Sequence, residues 1–160
     1  MEVLGTVAAT ADLIGLSIRA SKAAKDVVKS FINAPSELVE LETKLDRLRA
    51  SIQQVHSLTE GLCPTSASSG LLSNTGLFLP PEHREILSQG LQTSLGALQK
   101  IKSLCDAKQA VTGGKKPGSR EDVKRRIRWA TLDKRKASRI LKEVELAEAK
   151  LNHILTVLGV

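Results

Sequence analysis

The segment SREDVKRRIRWATLDKRKASRILKEVELAEAKLNHILTVLGV, residues 119–160, decides the fold of this chain. Ser119 is a suitable helix N-cap, and the next Gly or Pro in the segment is Gly159. The segment therefore predicts one helix over residues 119–158, roughly 60 Å long at 1.5 Å per residue. Asp133 is a position where this helix could kink or restart, because Asp prefers helix caps to helix interiors.

Opposite sides of this predicted helix differ in chemistry. At about 100° per residue, most of its aliphatic residues fall on one broad side, which predicts packing against other helices. That side consists of Ile127, Ala130, Ala137, Ile140, Leu141, Val144, Leu151, Ile154, Leu155 and Leu158. Five basic residues lie within about 60° of one another on the other side. We interpret them as a candidate binding site for anionic lipid: Lys124, Arg128, Arg135, Arg139 and Lys142.

A second helix is predicted over residues 35–58, where Pro35 suits a first helical position. Aliphatic residues recur there at spacings of 3-4-3-4-3, the strongest periodic signal in the chain: Leu38, Leu41, Leu45, Leu48, Ile52 and Val55. Such a seam is typical of a bundle or of a coiled coil, and its length of under three heptads favours the bundle. The predicted core residues are Leu41, Leu45, Leu48, Ile52 and Trp129.

A third helix is predicted over residues 81–108, which contain Gly90 and Gly96. Each Gly costs about 1 kcal/mol relative to Ala in a helix, so this is expected to be a weaker helix. Residues 61–79 and 110–118 are rich in Gly, Ser and Pro and are predicted to be flexible loops.

The N-terminal helix, predicted over residues 2–32, is nearly free of charge at its start. Its first sixteen or so residues span roughly 24 Å, short of the roughly 30 Å hydrocarbon core of a bilayer. Two interpretations stay open: a central core helix, or a helix that packs on the bundle at rest and enters a membrane on activation. The candidate membrane-inserting residues are Val3, Leu4, Val7, Ala11, Asp12, Ile14 and Ile18, with Leu13 and Leu16 off their stripe.

The composition indicates one basic, aliphatic domain over residues 1–160, an all-α, four-helix-type bundle with a long C-terminal helix. The chain has a formal net charge of +7 and an aromatic content of 2%, which suits helices packed through aliphatic side chains. Cys63 and Cys105 form neither a CxxC motif nor a His-rich cluster, so no disulfide framework or metal site is expected. A cytoplasmic location is expected, because the N-terminus lacks a signal-peptide pattern.

No catalytic centre and no cofactor are predicted, so the chain is not expected to be an enzyme. His56, His83 and His153 lie in three different segments, without a paired acid or nucleophile nearby in sequence. The sequence Gly113-Gly114-Lys115-Lys116 lacks the GxxxxGK[ST] spacing of a phosphate-binding loop.

Basic residues concentrate in residues 115–142, which contain twelve Lys or Arg against three acidic residues, a local charge of +9. A solvated helix face and an anion-binding face are both compatible with this run. Nucleic acid is the weaker partner, because single-strand binding needs aromatic stacking platforms and Trp129 alone is near. Anionic membrane lipid is the partner that the run predicts.

Two motifs resemble those of a known family. They are Asn33-Ala34-Pro35-Ser36-Glu37-Leu38 ahead of the Leu-rich helix, and Arg128-Trp129-Ala130-Thr131-Leu132-Asp133-Lys134 ahead of Leu141, Leu151 and Leu155. With the apolar N-terminus, they make the whole chain similar to fungal HeLo-like domains, found at the N-termini of fungal NLR-like STAND receptors and related cell-death proteins. The resemblance implies a helical bundle similar to the four-helix domain of mixed-lineage-kinase-like pseudokinases and to plant coiled-coil receptor domains.

The resemblance also implies a cytoplasmic cell-death effector that self-associates, moves to the plasma membrane and perturbs it through the N-terminal helix. Its implied partners are further copies of the chain and an upstream NLR-type receptor or amyloid-signalling protein, besides the anionic membrane lipids. The alternative is a non-lytic helical interaction module of a fungal NLR-like receptor. A nucleic-acid-binding protein is a more distant alternative.

Overall fold

The computed structural model describes residues 3–29, 34–61, 80–112, 120–128 and 134–159 of the chain. Five helices account for nearly all of them, and these ranges contain no strand. The helices are α1 (Val3–Lys29), α2 (Ser36–Gly61), α3 (Pro81–Thr112), α4 (Arg120–Arg128) and α5 (Lys134–Val157). The prediction of an all-α bundle is therefore confirmed.

The four long helices form a ring in which each packs against two neighbours. α1 contacts α2 and α3, and α5 contacts the same two helices from the other side. α1 therefore lies diagonally opposite α5, and α2 lies diagonally opposite α3.

Polar pairs along the helices establish their directions. Lys134 Nζ lies 2.8 Å from Glu37 Oε1, and Ser51 Oγ donates to Asn152 Oδ1 at 2.9 Å, so α2 and α5 are parallel. Between these pairs, Lys44 donates to Glu145, again joining α2 to α5. α3 and α5 are antiparallel, because Lys100 pairs with Glu143 while Lys150 pairs with Gln89.

The core is aliphatic, and α2 contributes its largest continuous share. Each of the six residues of the α2 seam is 2% exposed or less: Leu38, Leu41, Leu45, Leu48, Ile52 and Val55. Four of these were singled out from the sequence as core, and the fifth predicted core residue, Trp129, lies outside the described residues. α5 adds a second buried face that includes Val144, Leu151 and Ile154.

Prolines mark the beginnings of α2 and α3. The Pro35 carbonyl accepts from the Leu38 N–H at 3.0 Å, and the Pro80 carbonyl accepts from the His83 N–H at 3.0 Å. Pro81 is the first residue of α3, a position where the missing N–H of proline costs no intrahelical hydrogen bond. α3 continues to Thr112, so the first three residues of the predicted flexible loop 110–118 are helical and that part of the prediction is wrong.

The predicted single helix over residues 119–158 is given by the structure as two elements, α4 and α5. Residues 129–133 between them, which include Asp133, lie outside the described residues. α5 buries its aliphatic side against α2 and α3, whereas no extensive packing of α4 is found in the described part of the chain. The prediction that Ile127 faces the bundle is therefore wrong: Ile127 is 59% exposed, because α4 does not continue the packed surface of α5.

Candidate functional site

The face of α1 that packs on the bundle differs from the predicted stripe. Leu13, which lies off the stripe, is buried, whereas Ala11 and Ile18 on the stripe are exposed, as is Asp12 on the back of the helix. Ile14 is half-buried. The stripe is therefore split between the bundle and the solvent. Val3, Leu4 and Val7 belong to α1, but their side chains lie outside the described part of the structure.

Small and polar residues form most of the α1 interface with the bundle. The buried residues of α1 are Thr10, Leu13, Ser17, Ala20, Ser21, Ala23, Ala24 and Val27. Only Leu13 and Val27 among them have side chains large enough to add much hydrophobic stabilisation, since the free energy gained scales with the apolar area buried. Ile14, Leu16 and Val28 are partly buried against the core. Among the described side chains of α1, the fully buried part of the interface therefore contains few large ones.

Polar contacts between α1 and α2 complete this interface. Thr10 Oγ1 and His56 Nδ1 are joined by a hydrogen bond of 2.8 Å. The Ser21 hydroxyl lies 3.5 Å from Asp46 Oδ1, and Lys25 Nζ lies 3.6 Å from Asp46 Oδ2. Lys25 and Asp46 are each about two-fifths exposed, so this ion pair contributes little to stability.

The five basic residues of the candidate lipid site are exposed, but they do not share one helix. Lys124 and Arg128 lie on α4, and Arg135, Arg139 and Lys142 lie on α5. The three on α5 occupy its solvent side at spacings of three and four residues, which keeps them together on one face. The predicted continuous stripe therefore becomes two basic surfaces on separate helices.

Two exposed aliphatic side chains lie on α4: Val123, which the sequence prediction did not include, and Ile127, which it placed against the bundle. Val123 is 57% exposed and Ile127 is 59% exposed, and their spacing of four residues places them on the same side of the helix. They adjoin the exposed basic residues Arg120 and Lys124. Projected apart from the rest of the C-terminal segment, residues 120–128 show this short basic, amphipathic pattern.

The histidines and the described cysteine lie in separate surroundings. His56 Nε2 lies 3.4 Å from Glu60 Oε1, four residues away, so the expectation that His56 has no acid nearby in sequence is wrong. Burial, with a smaller contribution from the Asp106 carboxylate, raises the pKa of Cys105 to about 11, so its thiol stays protonated and unreactive at neutral pH. His83 and His153, from α3 and α5, stack with ring centroids 6.3 Å apart. The described residues contain no group of three or more His, Cys, Asp or Glu arranged to hold a metal ion.

The length and hydropathy of each helix decide whether it could cross a membrane. Within the described ranges, no helix combines the length and the apolar character needed to cross a bilayer.

Comparisons of this chain with protein-family models, with curated proteins and with solved structures find no match.

Proposed function

We propose that this chain is a membrane-acting effector domain of the HeLo-like type, which self-associates and perturbs the plasma membrane through α1. The observation that carries the proposal is the composition of the interface through which α1 packs on the bundle. Its buried face is made mainly of Ala, Ser and Thr, while Ile18 on its outer face is 48% exposed. A helix held in this way separates from its neighbours at a lower cost than one anchored by Leu and Ile.

The outer face of α1 suits contacts between copies. Ala8 and Ala11 are exposed there, and Gly15 is half-buried with nothing within 4 Å of an added Cβ. Small residues let helices approach closely in lipid, where packing contacts replace the hydrophobic effect as the driving force. Several copies of α1 together could then perturb a bilayer that the apolar part of one copy is too short to cross.

Charge supports an anionic membrane as the target. The exposed basic residues of α4 and α5 include Lys124, Arg128, Arg135, Arg139 and Lys142, and each basic residue near an anionic leaflet contributes roughly 1 kcal/mol of attraction. In this proposal the resting protein is cytoplasmic. An upstream NLR-type receptor or amyloid-signalling protein brings copies together, and the assembled chains move to the plasma membrane.

Leakage of dye from vesicles containing phosphatidylserine tests the proposal. Ile18→Lys places a charge on the outer face of α1 and should strongly reduce leakage without unfolding the bundle. Val39→Lys is the matched control, because Val39 lies on α2 and is 45% exposed. On expression in a fungal cell, the parent and the Val39→Lys variant should be toxic, and the Ile18→Lys variant should be much less toxic. Equal leakage by the Ile18 and Val39 variants would contradict the role assigned to α1.

A non-lytic interaction module is the second candidate, and one observation favours it. α1 packs against both α2 and α3 and places Leu13 and Val27 in the core, as an ordinary bundle helix would. A parent protein that causes no leakage and no toxicity, yet self-associates or binds a receptor fragment, would support this candidate over membrane perturbation.

A further inference from the structure

We infer that α4 is an interfacial helix that docks the bundle onto an anionic bilayer, with Val123 and Ile127 at the boundary between headgroups and acyl chains. This inference rests on the proposed membrane function, but it assigns the first contact with lipid to α4 rather than α1. Val123 and Ile127 are the most exposed large aliphatic residues in the described part of the chain, at 57% and 59%. On a helix that is otherwise charged, this pair forms a narrow apolar face.

The basic residues around Val123 and Ile127 favour an anionic membrane surface as the partner. Residues 120–128, REDVKRRIR, carry five basic and two acidic residues, a net charge of +3. Arg120 and Lys124 are exposed beside the aliphatic pair, so their long side chains can reach lipid phosphates while Val123 and Ile127 lie deeper. A basic helix with a small apolar face lies in the plane of an anionic membrane surface.

A broad anionic surface accounts for the exposed basic and aliphatic residues of α4 and α5 better than a small anionic ligand does. The solvent side of α5 adds Arg135, Arg139 and Lys142, and continues to Leu146, which is 51% exposed. Nucleic acid would account for the basic side chains but gives no role to exposed aliphatic ones, since its affinity comes largely from phosphate contacts.

Two aliphatic side chains bury too little area to hold a protein of this size on neutral lipid. Electrostatic attraction must therefore supply most of the affinity, so docking is reversible and weakens as salt screens the charges. Docking through α4 would concentrate the protein at the bilayer before α1 acts. The two helices then have separable tasks, because binding depends on α4 and perturbation depends on α1.

The experiment measures binding of the full chain to vesicles of phosphatidylcholine with and without phosphatidylserine. Replacing Val123 and Ile127 together by Ser keeps every charge and should lower the partition onto phosphatidylserine vesicles roughly tenfold. The control replaces Val39 and Leu95 together by Ser. These residues are 45% and 40% exposed on other helices, and the control should bind as the parent does.

Trp129, the only Trp in the chain and the residue directly after α4, provides the fluorescence signal for binding. Its emission should shift to the blue on binding and be quenched by brominated acyl chains.

The outcomes separate this inference from the proposed function. Parent protein that docks through α4 without causing leakage would support the inference and contradict the proposed function. A serine double variant that binds like the parent would overturn the inference, even if the parent causes leakage. Binding to duplex DNA or to an acidic protein, with none to vesicles, would overturn it as well.

Discussion

Helices α1 and α2 are almost equal in length, with 27 and 26 residues, and they run side by side, yet they stabilise the bundle differently. α2 buries an unbroken seam of Leu, Ile and Val, whereas α1 buries mainly Ala, Ser and Thr. α1 is nevertheless the less charged helix at its N-terminal end. An apolar sequence therefore does not by itself identify the helix that contributes most to the core, since stabilisation follows the area that is buried.

The difference has a packing explanation. α2 fills the centre of the bundle with large side chains such as Leu41, Leu45 and Leu48. Protein interiors are packed at nearly crystalline density. The helix beside these large side chains therefore fits best with small residues on its buried face. One helix supplies hydrophobic stabilisation, and the other supplies a close but weakly anchored contact.

The largest effect is expected for Leu45→Ala on α2. Leu45 is fully buried, and truncation removes a transfer contribution and leaves a cavity, so the free energy of unfolding should fall by about 2–5 kcal/mol. Urea denaturation measures this loss. Val39→Ala, at a 45% exposed position on the same helix, should change stability by less than about 0.5 kcal/mol. If the two variants are equally stable, the core does not depend on the α2 seam.

A smaller loss is expected when the α1 interface is overfilled. Ala24 is fully buried, and Ala24→Leu should cost about 1–3 kcal/mol, because a well-packed site cannot accept a larger side chain without strain. Amide hydrogen exchange should accelerate in α1 more than in α2. Ala11→Leu, at an exposed position on α1, is the control and should change neither quantity. Unchanged exchange in the Ala24 variant would mean that α1 packs loosely rather than closely.

A modest gain is expected for Gly15→Ala in α1. No atom lies within 4 Å of the added Cβ, so the variant should gain about 0.5–1 kcal/mol from reduced backbone freedom in the unfolded chain. The comparison is Gly90→Ala in α3, whose Cβ would lie 3.2 Å from Leu151 Cδ2 and 3.3 Å from Lys150 Cβ. That crowding should reduce or reverse the gain. Thermal unfolding of both variants checks the difference, and equal gains would show that α3 and α5 are not in close contact at Gly90.

The smallest effect concerns the polar pairs that join α2 to α5. A hydrogen bond from Lys134, assisted by a backbone hydrogen bond, lowers the pKa of Glu37. The pair is partly exposed, so Glu37→Gln should cost no more than about 1 kcal/mol. Because the pKa is lowered in the folded state, this contribution is present above the unfolded pKa of about 4.3 and is lost as pH falls through the folded pKa.

Thermal unfolding at pH 7 and at pH 3 measures this effect. The parent and the Glu37→Gln variant should differ at pH 7, and the difference should become smaller at pH 3. Lys134→Met should mimic the loss at pH 7, and combining it with Glu37→Gln should add little further, as expected for two partners of one interaction. A difference that persists unchanged at pH 3 would show that ionised Glu37 is not its source.

Local periodicity was sufficient to predict the helical segments and the buried faces of α2 and α5, but not the division of the C-terminal segment into α4 and α5. The 3-4 spacing from Leu38 to Val55 defines the buried face of α2, because this spacing returns to the same side of any helix. The same logic identifies the aliphatic face of α5. The basic residues Arg135, Arg139 and Lys142 also share one exposed face, since their spacing was read within a single helix.

Only the tertiary structure decided which side of α1 is buried and whether α4 packs at all. Apolar residues lie on several sides of α1, so the sequence does not define which side is buried. In the structure, the side with Ala20 and Ala24 packs against the neighbouring helices. In α4 the periodic pattern is clear, but a pattern cannot show whether a partner helix lies beside Val123 and Ile127. The sequence determined where helices form, because hydrogen bonding and side-chain spacing are local. The bundle determined which faces are covered, because burial depends on the shape and position of the neighbouring helices.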